Sequence, residues 1–120
     1  MEKILKIYSY SLCGTCRKAL KWLKQNNVNY QHIDIMECPP SKEYLMKAID
    51  QYGRRKSLFN TSGISYRNLG ASNVESMSNK QAIKALIKDS KLIKRPFVIT
   101  PKNKILIGFK PKEWEEELLD

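Results

Sequence analysis

Two cysteines separated by two residues, Cys13-Gly14-Thr15-Cys16, are the part of this sequence best suited to chemistry. A thiol attacks only as its thiolate, and free cysteine keeps its proton up to a pH of about 8.5. Position along the chain supplies a way to lower that value. Ile4 to Tyr8 is β-branched and aromatic and reads as a strand, Ser9 to Gly14 as a loop, and a helix follows from about Thr15 to Asn26. Unpaired N–H groups and the dipole at a helix N-terminus stabilise an anion there, so Cys13 is expected to titrate below free cysteine. Cys16 lies one turn on, on the same helix face and close enough to form a disulfide. Attack by Cys13 and resolution by Cys16 is the chemistry this spacing permits. Two other readings compete. The cysteines could be ordinary buried residues, or half of a zinc site, for which only Cys38 and His32 are on offer as further ligands.

The elements that must position the pair follow from pattern. In the first helix Ala19, Leu20, Trp22 and Leu23 form an apolar face and Lys18, Lys21 and Lys24 a wet one. Tyr30 to Ile35 alternates as a second strand, and Pro39-Pro40 breaks the chain. Ser41 is an N-cap, with Glu43 in the first turn, for a helix that buries Tyr44, Leu45, Ala48 and Ile49, runs to about Tyr52 and ends at Gly53. Residues 54–78 are rich in Ser, Asn and Gly, with short helical pieces around Lys56–Phe59 and Ser65–Leu69. Ser78 caps a helix from about Asn79 to Lys88, with Ala82, Ile83, Leu86 and Ile87 on one face. Phe97–Thr100 and Ile105–Ile107 flank a turn at Pro101–Lys104, giving a hairpin, and Pro111 opens a last helix through about Leu119. The order is β-α-β, a helical block, then β-β-α. Two parallel strands joined by a helix make a right-handed crossover, and the hairpin and last helix complete an α/β, thioredoxin-like layer with a mixed sheet. The chain is expected to be one domain, 1–120, with the helical insertion at about 41–90.

That layer gives meaning to Arg95-Pro96. A proline cannot donate to a sheet and belongs at a strand start. In a thioredoxin-like layer this position faces the two cysteines, and a cis bond before Pro96 is expected. Arg95 then lies near Cys13, where its charge would hold a thiolate or an oxyanion. The alternative is a surface arginine beside Lys91 and Lys94. Arg17, Lys18 and Lys21 add positive potential near the thiol, or are simply the wet helix face. Cys38, in an exposed-looking Glu37-Cys38-Pro39-Pro40 loop, reads as a bystander. His32 reads as a polar-face residue with no Asp or Ser partner placed near it. Trp22 and Trp114 look like anchors of their helices.

Composition bounds the rest. The chain has 120 residues and 14.0 kDa, with 42% apolar and 28% charged residues, values that argue against disorder, collagen and coiled coil. No apolar run approaches the roughly 20 residues of a membrane helix. Met1 to Lys6 is too charged and too short for a signal peptide, so a cytosolic protein is expected. Three cysteines do not make a disulfide scaffold. The net charge is +10, carried by 17 Lys and five Arg spread over most of the chain, and the acidic stretch is the tail, Glu113 to Asp120. This reads as a solvated surface, so no direct nucleic-acid or membrane binding is expected. A monomer is expected.

The motifs also carry a resemblance. Tyr8-Ser9-Tyr10-Ser11-Leu12-Cys13-Gly14-Thr15-Cys16-Arg17-Lys18-Ala19 resembles the opening of the arsenate reductase (ArsC)/Spx family. Pro39–Leu45, Leu58–Gly63, Tyr66–Gly70 and Leu92–Ile99 continue it in order. The resemblance implies a thioredoxin-like fold with a helical insertion. It implies Cys13 as the catalytic nucleophile and Arg95 as an oxyanion ligand, with Gly14, Thr15, Asn60, Arg95 and Pro96 as the candidate substrate-binding residues. Arsenate reductases of this family use three arginines; here Asn60 stands where a second is expected, and Leu106–Lys110 holds no third, only Lys110. Two missing forks, each worth roughly 1.5–3 kcal/mol, should weaken arsenate binding strongly. Cys16 matches the Spx-like members, which bind the C-terminal domain of the RNA polymerase α subunit under control of the CxxC disulfide; there Gly53 would lie near the partner surface. The segment around Asn60 is more like the reductase-related branch. The expected function is a thiol–disulfide oxidoreductase with Cys13 as nucleophile and Cys16 as resolving thiol, acting on a small oxyanion or a disulfide. No metal or organic cofactor is expected to be bound, with glutathione, glutaredoxin or thioredoxin as electron donor. The alternative is an Spx-like, redox-switched regulator.

Overall fold

The largely buried first strand and the short apolar runs Phe97–Ile99 and Ile105–Ile107 belong to a four-stranded mixed sheet. The computed structural model describes residues Ile4–Leu119; Met1–Lys3, at the start of the N-terminal segment, and Asp120, at the end of the acidic tail, lie outside the described residues. Strand β1 (Leu5–Ser9) pairs in parallel with β2 (Tyr30–Asp34), in the register Ile7 to His32 and Ser9 to Asp34. Helix α1 (Gly14–Gln25) makes the crossover between them. On the other side β1 runs antiparallel to β3 (Phe97–Ile99), which pairs antiparallel with β4 (Ile105–Ile107). The strand order is β2-β1-β3-β4, and the last helix follows β4 at Pro111–Leu118. This is the thioredoxin-like arrangement expected.

The chain divides into two compact units, one made of the segments up to Cys38 and from Arg95 onward, the other of Pro39–Lys94. In the first unit Leu5, Ile7, Ala19, Leu23, Val98, Leu106 and Trp114 form the buried core. Each such large apolar side chain contributes roughly 1.5–3 kcal/mol by leaving water. Trp114 is 1% exposed, and its indole N–H donates to the Gly108 carbonyl at 3.2 Å. Phe109 and the half-buried Trp22 meet Trp114 edge-on, at ring separations of 4.9 and 5.8 Å. Both tryptophans are therefore anchors, as expected.

In the second unit α2 (Lys42–Tyr52) packs against α5 (Asn79–Lys88). Ser41 caps α2 by accepting from the Tyr44 N–H, and Gly53 ends it at φ 73°, a left-handed conformation that glycine adopts without strain. Ser78 caps α5 and adds a reciprocal bond from its own N–H to the Gln81 side chain, completing a capping box that sequence reading left out. A 3₁₀ turn spans Arg55–Leu58, and α3 spans Ile64–Leu69. A further helix, α4 (Ala71–Ser76), lies where only loop was expected. It buries Val74 alone, so its Ser- and Asn-rich sequence carries no apolar period to reveal it. Ile87, expected inside, is 42% exposed.

Candidate active site: a helix-capping thiol beside an arginine

The first turn of α1 is built around sulfur. Cys13 is the N-cap, in extended conformation, and its Sγ accepts from the Cys16 N–H at 3.3 Å. A sulfur thus stands where a serine or aspartate oxygen would satisfy an orphan helix donor. The turn before it is closed by the Cys13 N–H bonding to the Tyr10 carbonyl at 3.0 Å. Arg17, one turn into the helix, donates to the Ser11 carbonyl at 2.9 Å and braces the same loop. Cys13 is half-buried and Cys16 fully buried, and both are free thiols.

Arg95 completes the site from the opposite end of the chain. Its peptide bond to Pro96 is cis, as expected. Pro96 is buried, and its carbonyl accepts from the Gly108 N–H at 2.9 Å, which fixes the start of β3. The Arg95 guanidinium stacks over the Tyr10 ring at 5.4 Å from the centroid, and its donors and charge favour the Cys13 thiolate. Its Nε is buried without a partner.

The two thiols are driven apart in acidity. Burial pushes the Cys13 thiol up, but hydrogen bonds from the Cys16 thiol and backbone N–H and from Arg95, with the Arg95 charge, outweigh it; the net effect is a lowered pKa. Cys16 is pushed up to about 12, first by burial and then by its hydrogen bond and repulsion from Cys13. At neutral pH the pair is therefore a thiolate-prone Cys13 beside a firmly protonated Cys16.

Of the residues singled out by sequence, Cys13, Gly14, Thr15, Cys16, Arg95 and Pro96 all belong to the first unit. Gly14 and Thr15 are the exposed first residues of α1 beside Cys13. Asn60 belongs to the second unit, where its N–H bonds to the Leu92 carbonyl at 2.7 Å and its own carbonyl accepts from Gly63. Lys110 is exposed at the N-cap of the last helix, α6 (Pro111–Leu118). Cys38 is exposed. Among the described residues, no group of three or more His, Cys, Asp or Glu side chains could hold a metal ion. One expectation needs correcting: His32 does have a serine partner. Its Nε2 shares a hydrogen bond with the Oγ of the buried Ser9. The parallel register aligns Ile7 with His32 and Ser9 with Asp34, so Ser9 and His32 share a sheet face, a long-range pairing that residue spacing alone does not reveal. Tyr10 is the site residue that sequence reading missed; an aromatic three residues before Cys13 was the available signal.

The sequence model of the ArsC family matches residues 8–117. The chain belongs to the ArsC family. The uncharacterized protein YusI of Bacillus subtilis is 42% identical over 114 residues, covering 93% of this chain and 96% of its own. A crystal structure of an ArsC family related protein from Bacteroides fragilis superposes with a TM-score of 0.86 at 38% identity, covering 97% of this chain and 98% of that one. More distant relatives of the ArsC chain carry different names. An arsenate reductase from Escherichia coli is 30% identical over 81% of this chain and 69% of its own. The global transcriptional regulator Spx of Streptococcus mutans is 28% identical over 84% of this chain and 73% of its own. Among the described residues no helix is long and apolar enough to cross a membrane.

Proposed function

We propose that the protein is a cytosolic thiol–disulfide oxidoreductase in which Cys13 attacks and Cys16 resolves. The observation that carries this reading is the split in acidity: Cys13 lowered beside Arg95, Cys16 raised to about 12. The Cys13 thiolate attacks one sulfur of a substrate disulfide, forms a mixed disulfide and expels the other sulfur as a thiolate. Once Cys13 is in that bond its charge and its hydrogen bond to Cys16 are gone. Two of the three influences that hold the Cys16 proton thereby vanish, leaving burial. Cys16 then loses its proton and attacks the Cys13 sulfur, releasing the second substrate thiol and leaving a Cys13–Cys16 disulfide. Two electrons from glutathione, through glutaredoxin or directly, or from thioredoxin, restore the dithiol. Raised acidity of the attacking thiol and delayed ionisation of the resolving one set this order of events.

Arsenate as substrate has weaker support, because Arg95 alone matches the arginines that the family resemblance calls for. Turnover of a model disulfide by the wild type, its loss in Cys13→Ser, and a trapped mixed disulfide in Cys16→Ser are the expected results. Full disulfide turnover by Cys13→Ser would refute the reading.

A second reading has support from the Spx relative and from the CxxC pair itself: a redox-gated regulator that binds the C-terminal domain of the RNA polymerase α subunit. Its test is binding to that domain with Cys13 and Cys16 reduced and then oxidised. Tight binding in one state only would favour it over catalysis.

A further inference from the structure

The second unit holds a cleft that the thiol chemistry does not use. Its volume is about 360 Å³, and its lining carries three consecutive cations, Arg54, Arg55 and Lys56, against one carboxylate, Glu75, with Ile49 and Val74 adding apolar surface. That is within the range of small-molecule sites. Arg55 is held in place: Nη1 donates to the Asn79 side-chain oxygen at 3.2 Å and Nη2 to the Glu75 backbone carbonyl at 3.1 Å. Both acceptors are neutral, so the charge is positioned without being cancelled. Among the described residues none of the three cations forms an ion pair; the pair recorded is Lys104 with Glu117. A neighbouring depression of about 310 Å³ shares Arg54 and Lys56, adds Lys94 and has no carboxylate in its lining.

We propose that this cleft binds a phosphate group, free or as the terminal group of a small phosphate ester. A terminal phosphate ester carries about 1.5–2 negative charges and three acceptor oxygens at neutral pH, matching a lining with an excess of cations. Arginine forks recognise it with directed, charge-assisted bonds, and a fork already fixed by Asn79 and Glu75 loses little freedom on binding. The apolar surface of Ile49 and Val74 leaves room for an organic body beside the phosphate.

The test is a magnetic-resonance titration of the full, isotope-labelled chain at constant ionic strength with inorganic phosphate, adenosine monophosphate and a glutamate-rich peptide. Saturable amide shifts confined to Gly53–Lys56 and Glu75–Asn79 are expected with phosphate or the nucleotide. Equal affinity for both would assign the site to phosphate itself, and tighter nucleotide binding would assign it to an ester. Arg54→Gln combined with Lys56→Gln alters two exposed side chains and should weaken binding about tenfold to a hundredfold. Shifts scattered over the surface lysines, no saturation, or a response to the acidic peptide alone would overturn the proposal. Cys13→Ser protein should bind phosphate unchanged, which separates this inference from the thiol chemistry.

Discussion

Replacing Arg95 by Met tests the central electrostatic argument, because methionine keeps much of the stem's packing and removes the charge and the donors. A hydrogen bond to a charged group contributes about 1.5–3 kcal/mol net in a folded protein. Cys13 is only half-buried, so solvent screening reduces the loss to about 1 kcal/mol, or roughly a fivefold smaller thiolate population at any pH below the titration midpoint. The assay is the ultraviolet absorbance of the thiolate, followed against pH in a Cys38→Ser background. Cys16 does not interfere, since it holds its proton to about 12. The Cys13 midpoint should rise in Arg95→Met. Alkylation by iodoacetamide should slow by less than the thiolate population falls, because a more basic thiolate is also the better nucleophile. A midpoint that stays in place or falls would refute the role given to Arg95, whatever the activity of the variant.

Cys16 is an acid whose folded pKa is raised, so its contribution to stability is present below the ordinary thiol range, about 8.5, and is lost as pH rises toward about 12; urea unfolding of wild type should weaken more steeply across that window than unfolding of Cys16→Ser. Cys13 has the opposite sign: its lowered pKa contributes stability above the ordinary thiol range that is lost as pH falls through the folded value, and Cys13→Ser should flatten that part of the profile. Trp114→Ala empties the centre of the first unit's core and removes the bond to Gly108, and should cost about 3–5 kcal/mol in urea unfolding. Ser78→Ala removes half of the capping box and should cost about 1 kcal/mol, with Ser78→Asp recovering most of it.

Most of the site was legible because its signals are local. Cys13 and Cys16 sit at a strand-to-helix junction that apolar periodicity locates to within a residue, and the proline of Arg95-Pro96 marks a strand start. Chain order then brings Arg95 to Cys13, since β3 pairs with β1. Ser41, Gly53 and Ser78 were readable for the same reason: a cap acts on its own helix. What stayed hidden depends on contacts distant in sequence or on segments with no apolar period. The Ser9–His32 bond needs the register of two strands. The stacking of Arg95 on Tyr10 needs two loops to meet. Helix α4 buries one side chain and so leaves no pattern to read.

The use of Cys13 sulfur as a helix cap joins reaction to architecture. In the proposed reaction the atom that attacks a substrate is also the one that holds the Cys16 amide. Forming a bond to that sulfur would turn a charged acceptor into a neutral, weak one, so each proposed cycle would loosen the first turn of α1 and each reduction would tighten it again. The helix end would thus report the oxidation state. Amide hydrogen exchange at Gly14, Thr15 and Cys16 would speed up when Cys13 is bonded and slow when it is free, giving any molecule that touches this turn a shape as well as a charge by which to read it.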